Sequence, residues 1–225
     1  MKRGSAQKGS ITTIFFTISK AYYLMNTYSD ALEIKKEEFT VAKSLLENDQ
    51  DIETSSLYQR SLQRLNELNV LNISGTFVCI GCGPLPTTLL FAQKTFNIER
   101  LIGIDNDPLA LDVAKNVYMH VSNQQAEFEE SVSYINLDSN ETVHFFIANM
   151  VKPKSEVLKQ VWHLASNKSI VIVREPVVQA GSQWEHISDK LDAGEWSVAK
   201  VFRQCLYFGS RSVLLFKSSQ LRKRA

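Results

Sequence analysis

Gly81 and Gly83 stand one residue apart in the stretch 80–88, Ile-Gly-Cys-Gly-Pro-Leu-Pro-Thr-Thr, directly after a short apolar run that reads as a buried strand. Glycine removes the side chain where a backbone turns sharply and where a ligand must approach the main chain. A dinucleotide-binding loop would place a third glycine at position 86, which is Pro86 here. Pyrophosphate is held by free N–H groups at a helix start, and Pro84 and Pro86 each delete one such donor. A ligand without phosphate suits this loop better. S-adenosylmethionine (SAM) is such a ligand, presenting a carboxylate, an amine, a sulfonium and a nucleoside. Gly81, Cys82, Gly83 and Pro84 would form its cradle.

Further candidates fall at the ends of the other apolar runs. Asp105 lies twenty-two residues after Gly83, where a carboxylate can accept hydrogen bonds from a ribose diol, and Asn106 adjoins it. Asp107 precedes Pro108 and reads as a helix N-cap. Asp138 is the candidate partner for an adenine amino group, with a solvated Asp-Ser-Asn turn as the alternative. Asn149 can accept from an amine and donate to a carboxylate, or simply end a strand. Glu175 is placed to act as a base or to bind an ammonium, against the alternative of a salt bridge with Arg174. Of the aromatic residues Tyr22, Tyr23, Tyr28 and Tyr58, most are packing, but Tyr22 or Tyr23 could close over a sulfonium.

Other chemistries fit less well. Cys79 and Cys82 have C-x-x-C spacing, but Cys79 sits inside an apolar run and no second pair completes a metal shell. The four histidines show no ligand spacing, so no metal is expected, and neither a Gly-x-Ser-x-Gly elbow nor a Walker loop is present.

The elements that must position these residues follow from periodicity. Residues 11–70 read as helical, with one helix from 12 or 13 to about 46 and a second capped by Thr54 or Ser55. From position 76 onward, β-branched runs alternate with helical ones. Strands are predicted at 77–80, 101–104, 132–137, 143–148, 170–173, 196–202 and 213–216, the last two as an antiparallel pair. Helices are predicted at 87–94, 108–121, 155–165 and near 183–191. This is a doubly wound α/β fold with a seven-stranded, mostly parallel sheet. The predicted division is a helical extension or lid (1–70), a SAM-binding domain (71–218) and a basic tail (219–225).

Twenty-five basic residues against twenty-four acidic ones leave a formal charge of +1, which gives no electrostatic reason to expect nucleic acid or an anionic membrane as partner. The apolar stretch 11–25 is interrupted by Lys20 and is read as an amphipathic helix rather than a signal peptide. With three cysteines in a chain able to bury a core, a reducing cytoplasm is the expected location.

The loop 81–88 together with Gly-Ile-Asp-Asn-Asp at 103–107 resembles the cofactor loop of nicotianamine synthases and their bacterial metallophore relatives, on the class I SAM-dependent methyltransferase fold. A helical N-terminal segment precedes the SAM domain there too. The resemblance implies transfer of SAM's 3-amino-3-carboxypropyl group to a small-molecule amine or amino acid, with methylthioadenosine leaving. The chain is short for that family, which leaves room for attack by SAM's own amine, giving azetidine-2-carboxylate. A small-molecule methyltransferase and a non-catalytic partner subunit on the same fold are the alternatives.

Overall fold

The computed structural model describes residues 33–48, 50–138, 141–176, 187, 191, 196–202 and 210–217. Helix α1 spans 33–48, and the predicted helix before it lies outside the described residues. Ser55 caps α2 (Ser56–Leu65), its hydroxyl accepting from the Tyr58 N–H at 3.4 Å. A 3₁₀ segment, Asn66–Val70, leads into the sheet. No helix among the described residues is long and apolar enough to cross a membrane.

The strands are β1 (Ser74–Ile80), β2 (Asn97–Ile104), β3 (Glu127–Glu129), β4 (Val143–Ile147), β5 (Val171–Pro176), β6 (Trp196–Phe202) and β7 (Ser210–Lys217). Helices α3 (Thr87–Thr95), α4 (Pro108–Val121) and α5 (Lys154–Leu164) connect them. The sheet order is β3-β2-β1-β4-β5-β7-β6. The first five strands run parallel, and β7 is antiparallel to both β5 and β6. This is the class I methyltransferase-like arrangement. Chain order reverses beside β1, which pairs with β2 on one side and β4 on the other. In an open α/β sheet the ligand crevice opens at such a reversal, beyond the carboxyl ends of the strands.

Alternate residues along each strand face opposite layers. Phe77, Cys79, Phe146, Ile172 and Leu214 share one core with Ala42 and Leu45 of α1 and with Leu57, Leu65, Leu89 and Leu111 of the helices beyond. Val78, Ile80, Phe145, Ile147 and Val173 face the other, with Leu158 and Val161 of α5. On the first of these faces Arg174 is buried and bonds Ser212 Oγ (2.9 Å) and Glu67 Oε1 (3.3 Å), joining the helical region to β5 and β7.

The third strand departs from expectation. The alternation in 132–137 predicted it, yet Val132–Tyr134 is a 3₁₀ turn and the strand is the polar Glu127–Glu129. Ser131 Oγ accepts from the Ser133 N–H at 3.3 Å, a local bond that competes with strand pairing, while Val132 buries in the core. Of the predicted helix near 183–191, only Ile187 and Leu191 are described.

His144 ties the foot of the sheet together. Its Nδ1 accepts from the Ile170 N–H (3.1 Å), so the protonated Nε2 donates to the Ser74 carbonyl (3.0 Å). Burial pushes its pKa below the ordinary 6.5. The unfolded chain takes up a proton as pH falls through that ordinary value while the folded ring resists, so stability is lost on the acid side. The urea midpoint should therefore fall as pH drops below about 6.5. In His144→Gln, whose amide both donates and accepts, that component should flatten; an unchanged pH dependence would contradict the assignment.

Candidate ligand site

Three loops meet at the carboxyl ends of β1, β2 and β4. In the first, Gly81 and Gly83 have φ of +79° and +64°, conformations that L side chains rarely adopt. The Gly81 and Cys82 N–H groups both donate to the Ile104 carbonyl, at 2.7 and 2.9 Å, and the Thr87 N–H donates to the Leu85 carbonyl at 2.7 Å. The Gly83 N–H donates to Asp105 Oδ2 at 2.8 Å. With Pro84 and Pro86 having no N–H, the loop commits most of its donors internally. That leaves it fewer free donors for a pyrophosphate than a dinucleotide loop offers.

The loop after β2 is equally organised. Asp105 Oδ1 accepts from the Asp107 N–H at 3.1 Å, so its carboxylate spans the turns after β1 and β2 and keeps further lone pairs for a ligand. Asn106 is exposed beside it. Asp107 caps α4, accepting from the Leu109 and Ala110 N–H groups, with Pro108 at the first helical position. The Lys35 ammonium at 2.7 Å holds the Asp107 carboxyl below its ordinary pKa.

Lys35 belongs to α1, and one turn on, the same helix delivers a residue that sequence reasoning missed. A methyl group on Gly83 would lie 3.0 Å from Glu38 Oε2, so the carboxylate rests against the glycine backbone. Burial first, and then the neighbouring Asp105 charge, push the Glu38 carboxyl up to about 8 despite Lys35. In Lys-Lys-Glu-Glu it reads as an ordinary solvated charge. The available signal is helical phase, because Glu38 shares a face with the fully buried Ala42 and Leu45.

The third loop follows β4. The Ala148 N–H donates to the Ile80 carbonyl at 2.9 Å, and Val151 turns back so that a methyl on Gly81 would meet its Cγ2 at 2.5 Å. Asn149 sits on this turn with a buried Oδ1 that has no hydrogen-bond partner among the described residues. A buried acceptor left unsatisfied costs about 1–3 kcal/mol, which makes this oxygen a candidate acceptor for a ligand's donor. The structure thus brings together Gly81, Cys82, Gly83, Pro84, Asp105 and Asn149.

Other candidates lie elsewhere. Asp138 belongs to the opposite end of the sheet, before β4, where its N–H donates to Glu141 Oε2 (3.2 Å) and Glu141 receives the Thr76 hydroxyl. Five residues of β4 separate it from the ligand loops by roughly 15 Å, which corrects its adenine role. Glu175 is fully buried, accepting from Arg211 (2.5 Å) and from the Ile187 N–H (3.0 Å). Glu175 is thus an ion-pair partner, and the partner is Arg211, not Arg174. Tyr58 is fully buried near Lys94, at the end of α3 remote from the Gly81 loop, and serves packing. Tyr22 and Tyr23 lie outside the described residues. Burial pushes the Cys79 thiol up to about 12 and the Cys82 thiol well above its ordinary value, which keeps both protonated and unreactive. Among the described residues no group of three or more His, Cys, Asp or Glu is placed to hold a metal.

No family model and no curated protein matches the chain. Solved structures do. A glutamate-to-glutamine mutant of MtNAS, a nicotianamine synthase, aligns with TM-score 0.65 and 18% identity over 83% of this chain and 71% of that one. The same mutant in complex with S-adenosylmethionine aligns at 0.64 and 18%, over 87% and 75%. A ribosomal protein L11 methylase from Lactobacillus delbrueckii subsp. bulgaricus aligns at 0.55 and 9%, over 72% and 80%. At these identities the likeness establishes the fold.

Proposed function

We propose that this chain is a SAM-dependent transferase in which an amine attacks the methionyl γ-carbon of SAM and methylthioadenosine leaves. The observation that carries the reading is Glu38 lodged on the Gly83 turn beside Asp105, with its carboxyl raised to about 8. An alkyl ammonium must lose a proton before its nitrogen can attack, and a carboxylate of that basicity is a competent acceptor near neutral pH. Asp105 would receive the ribose hydroxyls, and Asn149 Oδ1 the methionyl ammonium. The Gly81–Gly83 turn would lie against the ligand's methionyl portion.

The step balances without a further reagent. The nitrogen lone pair forms the new C–N bond, and the C–S electrons pass to sulfur and neutralise the sulfonium. The surplus N–H proton goes to Glu38. Because sulfonium is already a good leaving group, the protein's work is orientation and deprotonation. Further support comes from MtNAS, crystallised with MTA and tNA, and from its glutamate-to-glutamine mutant, crystallised with S-adenosylmethionine.

The identity of the nucleoside product tests the reading. Incubated with SAM, the enzyme should release methylthioadenosine. Formation without an acceptor, together with azetidine-2-carboxylate, identifies SAM's own amine as the nucleophile; dependence on an added amine identifies an acceptor. Stoichiometric S-adenosylhomocysteine would overturn the reaction in favour of methyl transfer. SAM should also raise the melting temperature, and NAD should not, since the loop has few free donors for a pyrophosphate.

A further inference from the structure

Lys154 is fully buried in the first turn of α5. The place is unfavourable twice over: a helix N-terminus carries partial positive charge, and an ammonium removed from water needs acceptors for its protons. Its Nζ donates to the carbonyl of Asn149 at 2.6 Å and to that of Val151 at 3.2 Å. These two residues form the turn after β4, and each meets the ligand site differently. Asn149 contributes the buried Oδ1, unpartnered among the described residues, and Val151 lies over the Gly81 backbone. One ammonium therefore fixes the peptide planes on either side of the point where the β1 and β4 loops touch.

We propose that Lys154 is the positioning residue for the amino-acid end of the bound nucleoside. By holding the Asn149 and Val151 carbonyls, it aims Asn149 Oδ1 at the methionyl ammonium and keeps Val151 seated on the Gly81 turn. Lys154 acts through these neighbours. The inference rests on the SAM reading above and predicts which part of SAM the enzyme loses its hold on when the clamp is removed.

Methylthioadenosine provides the discriminating probe, because it shares SAM's nucleoside and sulfur but lacks the methionyl amine and carboxylate. Calorimetric dissociation constants for both ligands would be measured on the wild type, Lys154→Met, Lys154→Gln, Asn149→Ala and the Lys154→Met/Asn149→Ala double variant. Lys154→Met should weaken SAM roughly tenfold, the scale of one lost hydrogen bond to a charged group. Methylthioadenosine should stay within about twofold of wild type, and the double variant should bind SAM within about twofold of Asn149→Ala alone. Lys154→Gln keeps a shorter, uncharged amide donor and should fall between Lys154→Met and wild type; if Lys154→Met does not fold, Lys154→Gln is judged by the same ratio. Equal weakening of both ligands, an unchanged ratio, or full additivity in the double variant overturns the inference. Wild-type protein that binds neither nucleoside overturns the SAM reading and this inference with it. Wild type that binds both, with no ratio change in the variants, overturns this inference alone.

Discussion

Glu38→Gln is expected to lower turnover by about a hundredfold or more while SAM still binds, the range found when a positioned proton acceptor is removed. The substitution keeps the shape that packs on Gly83 and deletes the basic oxygen. In the wild type the carboxylate must be ionised to work, and its pKa is raised to about 8, so kcat/KM should climb with pH and level off above that value. SAM brings a positive sulfonium towards the same group and favours its ionised form, so binding below about pH 8 should release a proton. Calorimetry in two buffers of different ionisation enthalpy would read that proton, and Glu38→Gln should abolish the difference. Stability should move the other way. The folded pKa lies above the ordinary 4.5, so ionising Glu38 costs the folded state more as pH rises from there through about 8. The Gln variant should therefore melt higher than wild type in alkaline buffer. A variant with full turnover would remove Glu38 from the chemistry.

Gly81→Ala should abolish the SAM-induced rise in melting temperature, whereas Gly83→Ala should retain part of it and lose turnover. Both glycines have positive φ, where a Cβ costs about 1–2 kcal/mol. The contacts set them apart. At Gly81 the new methyl would stand 2.5 Å from Val151 Cγ2, on a turn whose backbone is tied by Lys154. At Gly83 it would stand 3.0 Å from the end of the Glu38 side chain, which can swing aside. The first substitution must deform the junction of two loops; the second displaces one carboxylate. Thermal shift with SAM, run beside a turnover assay, separates them. Full SAM binding by Gly81→Ala would show that the β1–β4 loop contact is dispensable.

The parts of this site that were legible in the sequence are those whose chemistry is local. The Gly-x-Gly-Pro-Leu-Pro loop, the acid at the end of β2 and the Asp107-Pro108 cap each follow from neighbours within a few residues. Glu38 was not legible as a functional group, because its meaning depends on α1 crossing above Gly83, a contact between distant parts of the chain. Asp138 was misplaced for a traceable reason. The alternating apolar residues at 132–137 mimic a strand, whereas the true edge strand, Glu-Phe-Glu, is too short and too polar to stand out. Strand geometry rules out an Arg174–Glu175 pair. Successive residues point to opposite faces, so Arg174 meets Glu67 on one side and Glu175 meets Arg211 on the other.

The core shared by α1, α2 and the sheet has a consequence for cooperativity. Ala42 and Leu45 lie in the same apolar cluster as Phe77, Ile172 and Leu214, and the buried Arg174–Glu67 pair bridges the same boundary. A helical segment attached in this way is not a separate folding unit, and opening it would expose one face of the sheet to water. Substitutions in α1 far from the ligand loops therefore act on the ligand site through global stability, and the helix that supplies Glu38 persists for as long as the sheet does.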